Sequence, residues 1–316
     1  MSAVRPLAAA ALPLVAVLAL SACGSEDAGA ENASSAGASE ITVRHAQGET
    51  EVPVDPETVV VFDIGVLSTL DSLDVEVAGV PEAAFPESLE QYGGDDHPKV
   101  GSLFEPDYEA VDALEPDLII VAGRSAAVYP ELSDIAPTID LTVDNTDFFD
   151  SFEERVTALA EIFGEEDAVA ERLAALDERI AEVGEAAGDA GTGLFVMTNA
   201  GEVSAYGPDT RFGLIYNELG IEPADEGLTA ADHGDAISFE YIAEKNPDML
   251  FVLDRDAAIG ESGVAAEQVL DNDLVRSTKA WENDDVHYLD SAVWYIAPNG
   301  LPSVETMVEE IAAAVE

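Results

Sequence analysis

The chain has 316 residues, of which 47% are hydrophobic, and its 66 acidic and 12 basic side chains give a formal net charge of −54. This length is too great for one small core and suits two α/β lobes. The negative charge argues against nucleic acid as a partner, because phosphates would be repelled. An acidic surface of this kind is typical of a halophilic protein that works in concentrated salt, with solubility as the alternative reason.

The N-terminal segment predicts export and attachment to a membrane by lipid. Arg5 is followed by an apolar stretch, Leu7–Leu20, that is too short for a lasting transmembrane helix. The next residues, Leu-Ser-Ala-Cys ending at Cys23, are typical of a lipoprotein signal peptide spanning residues 1–23. Cys23 is the only cysteine, which excludes an internal disulfide and makes it the predicted lipidation site. Ordinary secretion with an incidental cysteine is the alternative.

The next 17 residues, 24–40, are rich in Ser, Gly, Ala and Glu and predict a flexible tether. From residue 41 onward, short apolar segments alternate with amphipathic ones, which is the pattern of an α/β fold. The predicted strands are Val59–Phe62, Val75–Val80, Leu118–Ala122, Thr138–Leu141, Leu194–Thr198, Met249–Leu253 and Val286–Leu289. The strands that begin at Val59, Leu118, Leu194 and Met249 are continuous apolar runs, which favours parallel strands buried on both faces.

A long helix is predicted in the middle of the chain. Apolar residues recur at spacings of 3 and 4 from Phe149 to Phe163, and Gly164 interrupts them. Val169, Leu173, Leu176, Ile180 and Val183 then follow at spacings of 4, 3, 4 and 3. We therefore expect residues 165–189 to form one long helix that connects an N-terminal lobe, residues 41–164, to a C-terminal lobe, residues 190–316. A crossover helix within a single sheet is the alternative.

Two similar segments support the two lobes. Glu109 precedes a helix, a Pro-Asp pair, an apolar strand and Arg124, and the same order leads from Glu240 to Arg255, with every position shifted by 131 residues. Each arginine comes just after the carboxyl end of its strand, where open α/β sheets bind ligands. Arg124 and Arg255 are therefore predicted to face one cleft.

Further candidate site residues lie in loops. Arg211 stands where a turn becomes a helix, a place that favours anions, so the three arginines together predict a site for an oxygen-rich polyanion. A salt bridge to a nearby carboxylate is the alternative for each of them. His233 and Tyr295 offer an imidazole nitrogen and a phenolate oxygen that could bind ferric iron, with a structural hydrogen bond as the alternative.

Enzyme classes find little support in the sequence. It has no Gly-x-Ser-x-Gly elbow, P-loop, His-Glu-x-x-His or Cys-x-x-Cys motif, so we expect a binding protein and not an enzyme. A hydrolase that uses a pair of acidic residues is a distant alternative, because chance carboxylate pairs are common in so acidic a chain.

Several ordered motifs resemble one family. They are Gly101-Ser-Leu-Phe-Glu-Pro-Asp-Tyr-Glu109, Ser204-Ala-Tyr-Gly-Pro-Asp-Thr-Arg-Phe-Gly213, His233-Gly-Asp-Ala-Ile-Ser-Phe-Glu240, Asn246-Pro-Asp-Met-Leu-Phe-Val-Leu-Asp-Arg255 and Val293-Trp-Tyr295. From about Val59 to the C-terminus, the chain resembles the class III, long-helix substrate-binding lipoproteins of ABC transporters. Within that family it is most similar to the ferric-catecholate and petrobactin-type siderophore-binding proteins.

The resemblance implies two Rossmann-like α/β lobes joined by a single long helix, with a ferric siderophore bound between them. By that resemblance, Arg124, Arg211 and Arg255 contact catecholate oxygens, and Tyr206 and Trp294 lie in the ligand-binding motifs. His233 and Tyr295 match the pair that can coordinate the siderophore's iron, although Pro298 follows Tyr295 where the family has small residues. Glu109 and Glu240 match the carboxylates that dock on the permease, with an ordinary helix-start carboxylate as the alternative.

The implied function is that of the extracytoplasmic, lipid-anchored binding component of an ABC importer. The protein would be a monomer without an intrinsic cofactor, and its partners would be the ferric siderophore, the permease–ATPase complex and the membrane. The alternative is the same fold with haem, cobalamin or a hydroxamate siderophore as cargo. A zinc or manganese site is less consistent with the sequence, because such a site needs several histidines.

Overall fold

The computed structural model of the chain describes residues 39–228 and 233–316, and residues 38–316 form one compact unit. The predicted signal peptide, the lipidation site Cys23 and the predicted tether up to residue 38 lie outside the described residues. Within the described ranges, no helix combines the length and the apolar character that crossing a membrane would require.

The secondary structure alternates between strands and helices along most of the chain. The strands are β1 Glu40–His45, β2 Gly48–Pro53, β3 Val59–Val61, β4 Leu118–Val121, β5 Thr138–Asp140, β6 Thr192–Asn199, β7 Glu202–Tyr206, β8 Glu222–Pro223, β9 Asp235–Ile237, β10 Met249–Asp254 and β11 Val286–Tyr288. The α-helices are α1 Ile64–Ser72, α2 Tyr108–Ala113, α3 Tyr129–Leu132, α4 Phe148–Phe163, α5 Glu166–Ala187, α6 Leu214–Asn217, α7 Phe239–Lys245, α8 Arg255–Ala258, α9 Ala266–Leu270, α10 Lys279–Glu282 and α11 Leu301–Val315. A π-helical turn, Ala292–Ile296, precedes α11.

The N-terminal lobe is built on the parallel sheet β3-β4-β5. Its strands are buried throughout, as expected for continuous apolar runs. The strand predicted at Val75–Val80 is wrong, because only Gly79 and Val80 form isolated bridges there. Pro81 follows at once and has no N–H to extend the pairing.

The C-terminal lobe is built on a mixed sheet with the strand order β11-β10-β6-β7-β9, and β8 pairs with the start of β6. The predicted strands β6, β10 and β11 run parallel to one another. Strands β7 and β9, which the sequence patterns did not indicate, are antiparallel to their neighbours. The hairpin of β1 and β2 was likewise not predicted, because charged residues alternate with its few buried positions.

Two long helices lie between the two sheets in sequence. Helix α4 ends at Gly164, which adopts the left-handed conformation that commonly terminates a helix. Helix α5 has 22 residues, a length of about 33 Å, and buries all five apolar positions that the 4, 3, 4, 3 spacing picked out. It packs against α4 and α11. Arg172 on α5 forms a bidentate ion pair with Glu305 on α11, at 2.7 and 2.8 Å.

Helix α1 of the N-terminal lobe touches the start of α11 directly. A Cβ atom placed on Gly65 would lie 2.8 Å from the backbone nitrogen of Gly300, so the two helices meet backbone to backbone. The Leu301 N–H donates to Thr69 Oγ1 at 2.9 Å, and that hydroxyl donates to the Gly65 carbonyl at 3.1 Å. This contact fixes the spacing of the two lobes beneath the loop that carries Tyr295.

Candidate functional site

A cavity of about 540 Å³ lies between the two lobes. The N-terminal lobe contributes Asp63, Phe104, Gly123, Arg124, Thr142, Val143 and Asn145, and the C-terminal lobe contributes Asp209, Thr210, Arg211, His233, Tyr295, Ile296, Pro298 and Asn299. Asp63 lies two residues beyond β3, Arg124 lies three residues beyond β4, and Tyr295 lies in the turn that follows β11. Arg255 follows β10 directly and contacts Tyr295, but it is not one of the residues that line the cavity. The cavity thus opens where strands of both lobes end, the usual place for a ligand in an α/β sheet.

The three predicted arginines converge on Tyr295. The Cζ atoms of Arg124, Arg211 and Arg255 lie 4.9, 4.8 and 5.6 Å from the centroid of its ring. Arg124 Nη2 and Arg211 Nη2 both donate to the Tyr295 carbonyl, the latter at 3.1 Å. Arg255 Nε donates to the Tyr295 hydroxyl at 3.0 Å, and its Nη1 donates to Asn199 Oδ1 at 2.9 Å. Three positive charges are therefore held around one aromatic side chain.

None of these three guanidinium groups is neutralised by a carboxylate within 4.0 Å in the part of the chain that the structure describes. The other arginines in the same ranges all have such a partner: Arg44, Arg155, Arg172, Arg179 and Arg276. In a chain with 66 acidic residues, paired arginines are the ordinary outcome. The cleft thus keeps its positive charges available to a ligand.

Burial and mutual repulsion act on the cleft arginines. Burial, and next the positive charge of Arg124, lower the pKa of Arg211 to about 10. The hydrogen bond to the Tyr295 hydroxyl raises the pKa of Arg255. An anion with several oxygens would relieve the repulsion between Arg124 and Arg211 by charge-assisted hydrogen bonds.

The π-helical turn aims Tyr295 into the cavity. The Asp290 carboxylate accepts hydrogen bonds from the N–H groups of Ala292 and Val293 at the start of this turn. The Trp294 indole N–H donates to Glu310 Oε2 at 2.6 Å and draws that ring into the core of the C-terminal lobe. Burial raises the pKa of Glu310. Neighbouring side chains of this turn therefore face opposite sides.

The structure corrects two of the ligand-binding residues that the sequence suggested. Trp294 and Tyr206 are each only 1% exposed and do not line the cavity. Tyr206 packs edge-on against Phe195 and Phe212, and burial raises its pKa to about 12. Both rings are therefore part of the core beside the cleft and do not line the cavity.

Comparison with known proteins connects this geometry to a family. The model of a family described as periplasmic binding protein matches residues 59–293. The chain belongs to this family.

The names of two relatives of this periplasmic binding protein state what those relatives bind. It is 42% identical over 310 residues to the petrobactin-binding protein YclQ of Bacillus subtilis (strain 168), covering 96% of this chain and 97% of YclQ. It is 32% identical over 277 residues to the ferric-anguibactin-binding protein FatB of Vibrio anguillarum (strain ATCC 68554 / 775), covering 86% of each.

Two solved structures are similar over nearly their whole length. The crystal structure of YclQ has a TM-score of 0.84 at 43% identity and covers 88% of this chain and 99% of its own. The catecholate-siderophore-binding protein VctP from Vibrio cholerae has a TM-score of 0.83 at 34% identity, with 87% and 100% covered. With the two sheets and the long helix α5, these matches confirm the class III periplasmic-binding-protein fold.

His233 lies on the C-terminal wall of the cavity of this periplasmic binding protein. It is exposed and lines the same space as Tyr295. The described residues contain no cluster of three or more His, Cys, Asp and Glu side chains that could hold a metal ion by themselves.

Glu109 and Glu240 occupy equivalent, exposed positions in the two lobes. Each is the second residue of a short helix, α2 or α7, whose N-cap side chain, Asp107 or Ser238, accepts a backbone N–H. Hydrogen bonds from its own N–H and from Ser238 lower the pKa of Glu240. The sequence repeat therefore corresponds to a repeat in structure, with one exposed carboxylate on each lobe.

Asp63 and Phe104 are among the cavity residues that the sequence patterns did not identify. Asp63 directly follows the predicted strand at Val59–Phe62, so the rule that identified Arg124 could have found it. Its carboxylate accepts the Val66 N–H at 2.9 Å and caps α1, while burial raises its pKa. Phe104 lies in a loop of the N-terminal lobe, and no periodic pattern marked it.

Proposed function

We propose that this chain is the extracytoplasmic binding component of an ABC importer, which captures a ferric siderophore of the catecholate type and delivers it to the permease. The observation that carries the proposal is the set of three cleft arginines without a carboxylate partner around Tyr295. A tris-catecholate ferric complex has a charge of about −3 and an oxygen-rich surface that suits guanidinium donors. The names of YclQ, FatB and VctP support the same class of cargo.

The iron would enter as part of the cargo, and the protein would need no cofactor of its own. His233 and Tyr295 line one cavity, which supports their role as additional iron ligands when a siderophore leaves two coordination positions open. Imidazole nitrogen and phenolate oxygen are suitable donors for iron. The proposed activity is binding and release without turnover, which is consistent with membership of a family of binding proteins.

Docking to the permease would use one carboxylate on each lobe. Glu109 and Glu240 are exposed and equivalently placed, as a partner with approximate two-fold symmetry would require. Each exposed ion pair would contribute about 0–1 kcal/mol, so both are needed together. A Glu109→Gln/Glu240→Gln double variant should bind siderophore normally and fail to stimulate the transporter's ATPase. Normal stimulation would contradict the docking role.

The remaining organisation of the chain is proposed from its sequence. Residues 1–23 would be a lipoprotein signal peptide, with Cys23 as the lipid-bearing residue. A tether would follow from residue 24 and would end before residue 40, the end that the sequence predicted, because Glu40 already belongs to β1. Residues 41–164 and 190–316 would be the lobes and residues 165–189 the connecting helix of a monomer. Metabolic labelling with a radioactive fatty acid should mark the wild type and not a Cys23→Ala variant. Equal labelling would exclude the anchor.

The cargo can be identified by fluorescence titration in molar salt against ferric petrobactin, a ferric enterobactin-type fragment, a ferric hydroxamate and haem. We expect the two catecholates to quench tryptophan emission with the highest affinity. Arg255→Ala should weaken their binding at least about tenfold, or about 1.4 kcal/mol. An Arg276→Ala variant, which removes an arginine paired with Asp271, is the matched control and should bind normally.

Preferential binding of haem or the hydroxamate would replace the catecholate assignment by one of those alternatives. Unchanged catecholate binding by Arg255→Ala would remove the role of that arginine.

A further inference from the structure

Phe104 is a large apolar side chain that the fold leaves exposed. Its exposed fraction is 65%, the highest among the large exposed apolar residues of the described ranges. Single exposed apolar residues are common on protein surfaces, so exposure alone decides nothing. Phe104, however, lines the same cavity as Arg124, Arg211 and Tyr295. An apolar ring therefore stands beside positive charges at the mouth of the cleft.

A tight turn holds Phe104 in this position. Ser102 Oγ accepts the N–H groups of Phe104 and Glu105 at 3.3 and 3.0 Å, and the Ser102 N–H donates to the Glu105 carbonyl at 3.0 Å. Gly101 begins the turn with φ of +90°, and a Cβ atom there would lie 2.4 Å from the Asp107 nitrogen. The backbone is thus closed on both sides of Phe104, and little ordering would be needed when a ligand arrives.

The combination of groups specifies the chemistry of a ligand. Guanidinium groups bind anionic oxygens in the plane of their N–H donors, whereas a phenyl ring offers only a flat apolar face. A catechol presents both features, since its two oxygens lie at one edge of an aromatic ring. A citrate complex has comparable anionic oxygens without any ring.

We propose that Phe104 is a ligand-contacting residue that packs against an aromatic ring of the cargo and so selects aryl siderophores over aliphatic ones. The inference rests on the proposed function, because it concerns the cargo of the same cleft. Tyr295 and the arginines would hold the oxygens and the metal end, and Phe104 would cover the ring from the N-terminal lobe.

The test compares four proteins in titrations with a ferric catecholate and with ferric citrate. Phe104→Ala should bind the catecholate about tenfold more weakly, whereas Phe104→Tyr, which keeps the ring, should bind it as the wild type does. Tyr108→Ala is the matched control, since it removes an exposed aromatic residue four positions away that does not line the cavity. Any affinity for ferric citrate should be the same in all four proteins.

Equal catecholate affinity in Phe104→Ala and the wild type would overturn the inference and leave the proposed function intact. An equal loss for citrate would also overturn it, because Phe104 would then act on the shape of the cleft and not on the ring. Failure of the wild type to bind any ferric complex would refute the proposed function itself. The two Phe104 variants should keep the wild-type melting temperature, since the Phe104 side chain is mostly exposed.

Discussion

The environment of Arg211 in the cleft disfavours the charged form of its side chain. Burial and the neighbouring Arg124 both oppose that charge, and together they lower the pKa of Arg211 to about 10. Its partner, the Tyr295 carbonyl, also accepts a hydrogen bond from Arg124 and would remain satisfied without it. We therefore expect the charge of Arg211 to lower the stability of the protein while it prepares the site for an anion, a common compromise at functional sites.

Replacing Arg211 by methionine should separate these two effects. The side chain keeps a similar length and loses its charge, so we expect the melting temperature of the ligand-free protein to rise by about 2 °C, or about 1 kcal/mol. Catecholate affinity should fall at least about tenfold. Calorimetry and titration measure the two quantities. Arg172→Met, which breaks the ion pair with Glu305, should instead lower the melting temperature and leave affinity unchanged. A melting temperature of Arg211→Met below that of the wild type would show that the charge of Arg211 does not destabilise the protein.

At the level of single residues, the sequence predicted which residues lie near the cleft better than it predicted which way their side chains point. Arg124 and Arg255 were identified because a repeated unit placed both at the ends of strands, and strand ends meet in one cleft. Trp294 and Tyr295 are adjacent in sequence, yet one ring points to Glu310 in the core and the other into the cavity. Which side faces a ligand depends on the π-helical turn, and no periodic pattern announces such a turn.

Among the elements, the contact between α1 and α11 sets the geometry of the site. Gly65 and Gly300 touch backbone to backbone, and Gly300 lies five residues after Tyr295. A Cβ atom on Gly300 would lie 2.6 Å from the Gly65 carbonyl oxygen, a distance that requires a backbone shift. Any such shift would separate the lobes and move the Tyr295 loop away from the arginines.

The variant Gly300→Ala should therefore lose stability and affinity together. Overpacking of this kind costs about 1–3 kcal/mol, and catecholate binding should weaken although no ligand-contacting residue has changed. Gly184→Ala in α5 is the matched control, because a Cβ atom there meets nothing within 4 Å. That control should gain about 0.5–1 kcal/mol from helix propensity and bind normally. Urea unfolding and titration measure both quantities, and wild-type behaviour of Gly300→Ala would remove the spacing role.

Elements with a strong hydrophobic pattern in their own sequence were predictable. Elements that depend on pairing with a distant segment were not. Helix α5 buries the five residues that its spacing identified, since one face of a long helix must be covered. Strand β9 has three residues and pairs with β7, so its existence depends on residues that lie 30–34 positions earlier in the chain. The strand predicted at residues 75–80 was wrong for the same reason. Its apolar character suits a strand, but its position beside β3 permits only isolated bridges.

For the whole molecule, the surface and the cleft act on an anionic cargo in opposite directions. The chain has a net charge of −54, while three arginines without carboxylate partners in the described ranges line or border the cavity. A ligand with a charge of about −3 is repelled by the acidic surface at long range and attracted by the arginines at contact. The Debye length shrinks from about 30 Å at 0.01 M salt to about 3 Å at 1 M. Salt therefore weakens the repulsion more than the contacts.

We expect the association rate constant for a ferric catecholate to rise about tenfold between 0.05 and 2 M NaCl, because steering effects on such rates span about 10- to 1000-fold. The dissociation rate should change less, since salt screens charge pairs that are partly buried in the cleft much less than it screens charges on the exposed surface. Stopped-flow quenching of tryptophan measures both rates. Choline chloride should reproduce the effect, because screening depends on ionic strength and not on sodium.

The melting temperature should rise over the same range, as repulsion among the surface carboxylates is screened. An association rate that falls with salt would mean that the cleft's positive field extends beyond the anionic surface and governs the approach of the ligand.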